Sequence, residues 1–168
     1  MAHDRHIQMH TQTPKKHEVV AAIMGAISSE LKVAERMAEE ARDEATHGDT
    51  KAEGKYDTRA TEASYLARGQ AQRILNLREL KSWYERFSPD QTASEIRIGA
   101  LVLVENETQE WLFLAPSGGG RITVDGIPIL VVSPTSPMGR GMVDIEVGDS
   151  FEVDTPRGVV EYEVISCL

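Results

Sequence analysis

Two heptad seams of opposite taper, joined by a short charged and glycine-containing stretch, constrain this chain more than any other feature. From about Lys16 to Thr46 the apolar residues fall on an unbroken 4-3 spacing: Val20, Met24, Ile27, Leu31, Ala34, Ala38, Ala41 and Ala45. The seam shrinks to alanine alone as it nears Gly48. A second seam follows, small to large: Tyr56, Ala60, Ala63, Ala67, Gln70, Ile74, Leu77 and Tyr84. Mirror-image tapers across so short a connection require an antiparallel helical hairpin. Arms of about 30 residues, rising 1.5 Å each, reach roughly 45 Å. Small residues let helices approach closely, so the hairpin narrows toward its tip. Leu66 and Leu80 widen the second stripe, and Gln70 serves as a polar register marker.

The tip itself reads HGDTKAEGKYD, His47 to Asp57. Across residues 39–57 stand seven acids (Glu39, Glu40, Asp43, Glu44, Asp49, Glu53 and Asp57) against Arg42, Lys51 and Lys55. Two readings stay open at this point. The charges could be a solvated loop between helix ends, as most charge runs are. Carboxylates on a long thin probe could instead share a Mg²⁺ inside another macromolecule, because Mg²⁺ is often held by one or two carboxylates plus phosphates. Beyond the tip, Arg59, Arg68, Arg73, Arg78, Lys81 and Arg86 give the second arm a modest basic surface. That surface could touch RNA or an acidic partner, or simply keep the helix in solution.

After residue 87 the period changes. Ser88-Pro89-Asp90 breaks the helix, and residues 88–95 form a linker. IRIGALVLVE (96–105) and EWLFLA (110–115) read as a hairpin turning at Asn106-Glu107-Thr108. RITV and IPILVV flank Asp125-Gly126, a strong two-residue turn signal. Pro137 after Ser136 starts a short helix. SFEVDT and VVEYEVIS pair across Pro156-Arg157-Gly158. The fold class is α+β: a disordered tail over 1–15, a coiled-coil hairpin over 16–87 with its tip at 47–55, the linker, and a small, mostly antiparallel sheet domain over 96–168.

Charge divides along the same line. Residues 1–88 hold 14 Lys/Arg and 14 Asp/Glu, whereas residues 89–168 hold 4 Arg, no Lys and 13 Asp/Glu, which carries the whole net charge of −9. An acidic half is a poor duplex-DNA binder and suits a protein partner better. The single Cys167 excludes an internal disulfide framework and any cysteine-based zinc site. No apolar run approaches the ~20 residues of a membrane span, so a soluble cytoplasmic protein is expected, with no membrane partner. His3, His6 and His10 could chelate a metal, but no carboxylate cluster accompanies them. There is no P-loop, GxSxG or HExxH, and Gly118-Gly119-Gly120 lacks the strand-then-helix setting of a dinucleotide site.

The stretches EARDEATHGDTKAEGKYDTRA (40–60) and SPTSPMGRGMVDIEVGDSFEVDTPRGVVEYEVI (133–165) resemble the GreA/GreB family of bacterial transcript-cleavage factors. The second carries the more specific pattern: Ser-Pro, an Arg three residues later, Gly-Asp, and a Pro-x-Gly turn before a final strand. The resemblance, spanning about residues 17–166, implies an FKBP-like C-terminal domain that docks on the rim of RNA polymerase's secondary channel. Ser136, Pro137, Met138 and Arg140 match the docking loop, with Thr135 where the family often has an acid. The hairpin would deliver its tip to the polymerase active centre and the 3′ end of the nascent RNA. There, acids matching Asp49, with Glu53 as the substitute second acid, would help hold a shared Mg²⁺ and position the water that cleaves backtracked RNA. The chain departs from the pattern at Ala52, where the second acid is expected. What the resemblance implies is therefore a monomer with no cofactor of its own, acting as cofactor to the polymerase's nuclease and not as a free-standing enzyme. The alternatives are a channel-binding regulator or inhibitor without cleavage stimulation and, from the shared fold alone, an FKBP-like prolyl isomerase.

Overall fold

The computed structural model describes residues 12–47, 58–90 and 95–168. Two long helices, α1 (Lys16–His47) and α2 (Thr58–Arg86), precede strands β1 (Leu101–Glu105), β2 (Gln109–Leu114), β3 (Gly120–Val124) and β4 (Ile127–Val132). A short helix α3 (Pro137–Met142) and strands β5 (Ser150–Thr155) and β6 (Gly158–Cys167) complete the chain. The class is α+β, as the change of period from heptads to alternation requires.

The beginning of α1 and the end of α2 are seated on the same face of the sheet. Val19, Val20, Ile23 and Ile27 from α1 and Leu77 and Tyr84 from α2 form one apolar cluster with Leu101, Trp111, Phe113 and Ile129. The two arms therefore run antiparallel. Glu30–Arg73 at 2.7 Å and Glu35–Arg78 at 2.5 Å tie them together on the outside. Both pairs are solvated, so each adds little to stability.

The seam prediction holds best at this base. Val20, Ile27, Leu77 and Tyr84 are buried, and Met24, Leu31, Ala34 and Leu80 pack against them. Val19 and Ile23 lie off the heptad yet are buried, because at its base α1 faces the sheet as well as α2. Farther out, Leu66 is 66% exposed and Ala41 and Ala67 are also open to solvent. Leu66 thus widens the stripe in sequence but not in burial, since an alanine seam between two lone helices has no third layer to close over it.

The sheet has six strands in the order β3-β4-β2-β1-β6-β5. Four neighbouring pairs are antiparallel, but β2 and β4 run parallel, pairing Trp111 with Ile129 and Leu114 with Val132. The sheet is therefore mostly antiparallel, as expected, with a single parallel pair inside it. The tight turn at Asp125 (φ 50°) and Gly126 (φ 80°) forces β3 and β4 antiparallel. β3 occupies the edge, which leaves β4 to meet β2 in the same direction. Residues 96–100, expected in the first strand, lie before it instead, with a turn at Ile98-Gly99. Gly99 sits at φ 97° with Phe87 where a Cβ would be, so the chain reverses there against the hairpin base.

Alternation along the central strands feeds two cores. Trp111 and Phe113 face the hairpin base; Leu112 and Leu114 face the opposite side, where they meet Met142, Phe151, Val153 and Val164. Pro14, in the span read as tail, is fully buried.

Tyr84 is 2% exposed and its hydroxyl has no hydrogen-bond partner among the described residues. Burial pushes its phenol up from the ordinary tyrosine range. An orphaned buried donor carries its full desolvation cost, of order 1–3 kcal/mol. Tyr84→Phe is therefore expected to leave stability unchanged or raise it by about 1 kcal/mol, read from the urea midpoint. A clear loss of stability would mean that the hydroxyl is satisfied in solution.

Candidate functional site

On the sheet face opposite the hairpin, Ser133 to Met142 make a compact loop and helical turn. Ser136 is the N-cap of α3, in extended backbone (φ −71°, ψ 156°), and Pro137 takes a first-turn position that needs no N–H donor. The Ser136 hydroxyl works both ways: it accepts from the Gly139 amide at 3.0 Å and donates to the Ser133 carbonyl at 2.7 Å. The Ser136 amide donates to the same carbonyl at 3.0 Å. Arg140 closes the turn from outside, its Nη1 donating to the Thr135 carbonyl at 3.1 Å. The Ser133 and Thr135 hydroxyls lie 3.0 Å apart.

Gly139 is the residue that permits this geometry. A Cβ there would stand 1.9 Å from the Ser133 carbonyl oxygen. Gly141 has a similar role, since its Cβ would lie 2.5 Å from the Phe151 ring. The sequence carried that signal in the alternating glycines of MGRGM, where the candidate set contained only the polar and apolar side chains between them.

The four residues read from sequence as a docking set come together here but divide by direction. Pro137 and Arg140 are exposed, and Thr135 beside them is exposed too. Ser136 is half-buried and fully engaged in the cap, and Met138 packs into the second core with Leu130 and Val143. The outward chemistry of the loop is thus one proline ring, one guanidinium and one threonine hydroxyl. Ser136 and Met138 hold that arrangement in place.

The tip residues Asp49 and Glu53, with Ala52, lie outside the described residues, as do His3, His6 and His10. Among the described residues no group of three or more His, Cys, Asp or Glu side chains is placed to hold a metal ion. No helix among them is long and apolar enough to cross a membrane.

The aromatic residues that a prolyl-isomerase pocket would need are divided between the two faces of the sheet. Trp111 and Phe113 belong to the core under the hairpin, whereas Phe151 and Tyr162, stacked at 5.6 Å, belong to the other. They line no common pocket.

A second feature lies where α2 leaves the sheet. A cleft of about 520 Å³ runs beside α2, lined by Arg73, Asn76, Leu80, Trp83 and Arg86, with Pro116 and Ser117 as the far wall. Trp83 is held there by stacking on Phe87 (4.8 Å, 15°) and by edge contact with Tyr84 (4.9 Å, 90°).

With this architecture in view, comparison with known proteins defines the class. A family model described as "Transcription elongation factor, GreA/GreB, C-term" matches residues 91–168, the segment that holds the whole sheet and α3. A transcription elongation factor GreA of Cereibacter sphaeroides is 30% identical over 121 residues, covering 71% of this chain and 76% of that protein. The GreA of Beijerinckia indica is 30% identical over 123 residues, covering 72% and 74%. Among solved structures, the GreA factor homolog 1 protein of Thermus thermophilus is 18% identical and covers 86% of this chain and 94% of that one, with a TM-score of 0.36. The chain belongs to the GreA/GreB family.

Proposed function

We propose that this protein is a Gre-type regulator of transcription elongation that binds RNA polymerase, working in the cytoplasm as a cofactor with no free-standing activity. In this reading the sheet domain is the FKBP-like docking module and the hairpin is a coiled-coil probe. Family membership carries the proposal. The exposed pair Pro137 and Arg140, on a loop fixed by the Ser136 cap, supports a docking role: a rigid turn gives a partner one proline ring and one cation at low ordering cost. The acidic sheet half suits a protein surface better than nucleic acid.

Docked at the secondary-channel rim, the hairpin would carry its tip to the polymerase active centre. Asp49 and Glu53 would there supply carboxylates to a Mg²⁺ that belongs to the polymerase, next to the 3′ end of backtracked RNA. The assay is transcript cleavage on backtracked complexes with the parent protein, Asp49→Ala and Glu53→Ala. Loss of one of two shared metal carboxylates is expected to lower stimulated cleavage by about tenfold or more, with polymerase capture unchanged. Variants that cleave like the parent would end the catalytic role of the tip.

One observation favours a second reading. Ala52 occupies the position of the second acid, and Lys51 and Lys55 dilute the negative charge around it. A protein that docks without supplying two carboxylates would occupy the channel as an inhibitor or a competitor of other channel-binding factors. Polymerase capture together with suppressed cleavage in the same assay is the outcome that selects this reading.

A further inference from the structure

The cleft beside α2 is built along one stripe of the helix. Glu79, Trp83 and Arg86 follow one another at spacings of four and three, so they sit on one face. The carboxylate and the guanidinium are seven residues apart, about 10 Å along the axis, with the indole between them. That separation is too long for them to pair with each other. Glu79 makes no hydrogen bond or ion pair within the described residues, and Arg86 makes only a bond to the Ser82 hydroxyl at 2.7 Å. The other charges in the cleft are settled, because Arg73 is bound to Glu30 at 2.7 Å. Leu77 and Leu80 form the floor, and Pro116 and Ser117 stand opposite as the second wall. The volume of about 520 Å³ falls within the ordinary range for ligand sites.

We propose that this cleft is a docking groove for an extended peptide segment of a partner protein, with a basic residue at one end, an acidic residue three positions away and a proline or aromatic ring between them. The charge pattern selects the occupant. An anion of either sort would meet Glu79 and a cation would meet Arg86, so only a segment carrying both signs satisfies the groove. A polyproline II chain advances about 3.1 Å per residue with three residues per turn, which puts residues three apart on one side of the chain and close to the separation of the two charges. The Trp83 face and Pro116 suit a ring inserted between them. Phe87 behind Trp83 fixes the indole, so little side-chain ordering is left for binding to supply. The groove lies on the hairpin side of the sheet, opposite α3, and is therefore a contact separate from the Pro137–Arg140 loop and independent of any action at the tip.

The test uses the intact protein labelled with ¹⁵N. Its two tryptophans, Trp83 and Trp111, give two indole signals, and Trp111 faces the buried sheet core. Acetyl-Lys-Pro-Phe-Glu-amide, titrated to about 5 mM to suit the weak affinity expected of four residues, should move the Trp83 signal saturably and leave that of Trp111 in place. Glu79→Ala and Arg86→Ala should each weaken binding by about threefold, the range of a single solvated charge pair. Glu79→Lys should reverse the preference, binding acetyl-Glu-Pro-Phe-Glu-amide more tightly than the Lys-containing peptide. Both substituted positions are on the surface of α2, and circular dichroism confirms that the helices are kept. No saturable movement of Trp83, binding indifferent to Glu79 and Arg86, or a Trp83 signal that shifts with protein concentration alone would each overturn the proposal, the last by assigning the groove to a second copy of the chain.

Discussion

Replacing Gly139 by alanine should lower the stability of the sheet domain by about 3 kcal/mol, out of all proportion to one added methyl. The new Cβ would stand 1.9 Å from the Ser133 oxygen, 2.7 Å from its carbon and 3.1 Å from the Pro134 Cα. All three are backbone atoms, so no side chain can rotate away. The loop has to open, and opening it breaks the bonds that the Ser136 amide and hydroxyl make to the Ser133 carbonyl. For a chain of this size the loss corresponds to a fall in Tm of roughly 6–12 °C by calorimetry. Gly25→Ala is the internal control, since nothing lies within 4 Å of its Cβ in mid-helix and alanine there should add about 0.5–1 kcal/mol. If Gly139→Ala melts like the parent, the cap geometry described for α3 is wrong. Under the proposed docking, the same variant should also lose polymerase capture, because Pro137 and Arg140 would no longer be held in one arrangement.

The second large effect is expected at Phe113. Its side chain is fully buried at the junction of the hairpin and the sheet. Its ring lies 6.4 Å from that of Tyr84 and 6.5 Å from that of Phe87, between α2 and the central strands. Phe113→Ala removes the ring and leaves a cavity that rigid neighbours cannot close, a cost of about 3–5 kcal/mol. The consequence differs from that at Gly139. Phe113 is shared by the strands and both arms, so its loss should weaken the seating of the hairpin as well as the sheet. Hydrogen exchange at the first turns of α1 and the last turns of α2 should accelerate together with that of β2. A destabilisation confined to the sheet, with the helix ends still protected, would show that the hairpin does not depend on this contact.

Much of this arrangement was legible in the residues because each local signal agreed with its neighbours. Asp125-Gly126 between alternating runs specified a two-residue turn, and both residues adopt the positive φ that turn needs. Ser136-Pro137 specified a cap and a helix start, and both are found. The seams placed Val20, Ile27 and Leu77 in the core, where they are buried. What escaped the sequence was set by partners far along the chain. Val19 and Ile23 are buried only because the sheet comes under α1, and no period within α1 announces that. The parallel pairing of β2 with β4 follows from β3 taking the edge, a choice made by topology and not by composition. Ile96 to Ala100 alternates like a strand, yet Gly99 reverses the chain against Phe87. At the candidate docking loop, residue types identified the place, while direction needed coordinates: Pro137 and Arg140 point out, and Ser136 and Met138 are used inside. The Glu79–Trp83–Arg86 stripe was visible as a spacing but meant nothing until Pro116 and Ser117 supplied the facing wall.

The seating of the hairpin by its base alone has a further consequence. Apolar burial between the arms is concentrated around Val19–Ala34 and Leu77–Phe87, and farther out, among the described residues, Ala41, Leu66 and Ala67 are open to solvent. Seven residues removed from or added to each arm would preserve the heptad register and change the projection by about 10 Å, without altering a single contact with the sheet. The molecule thus keeps its length and its foundation on separate accounts: the reach of the probe can be retuned in whole heptads while the plate that anchors it stays as it is.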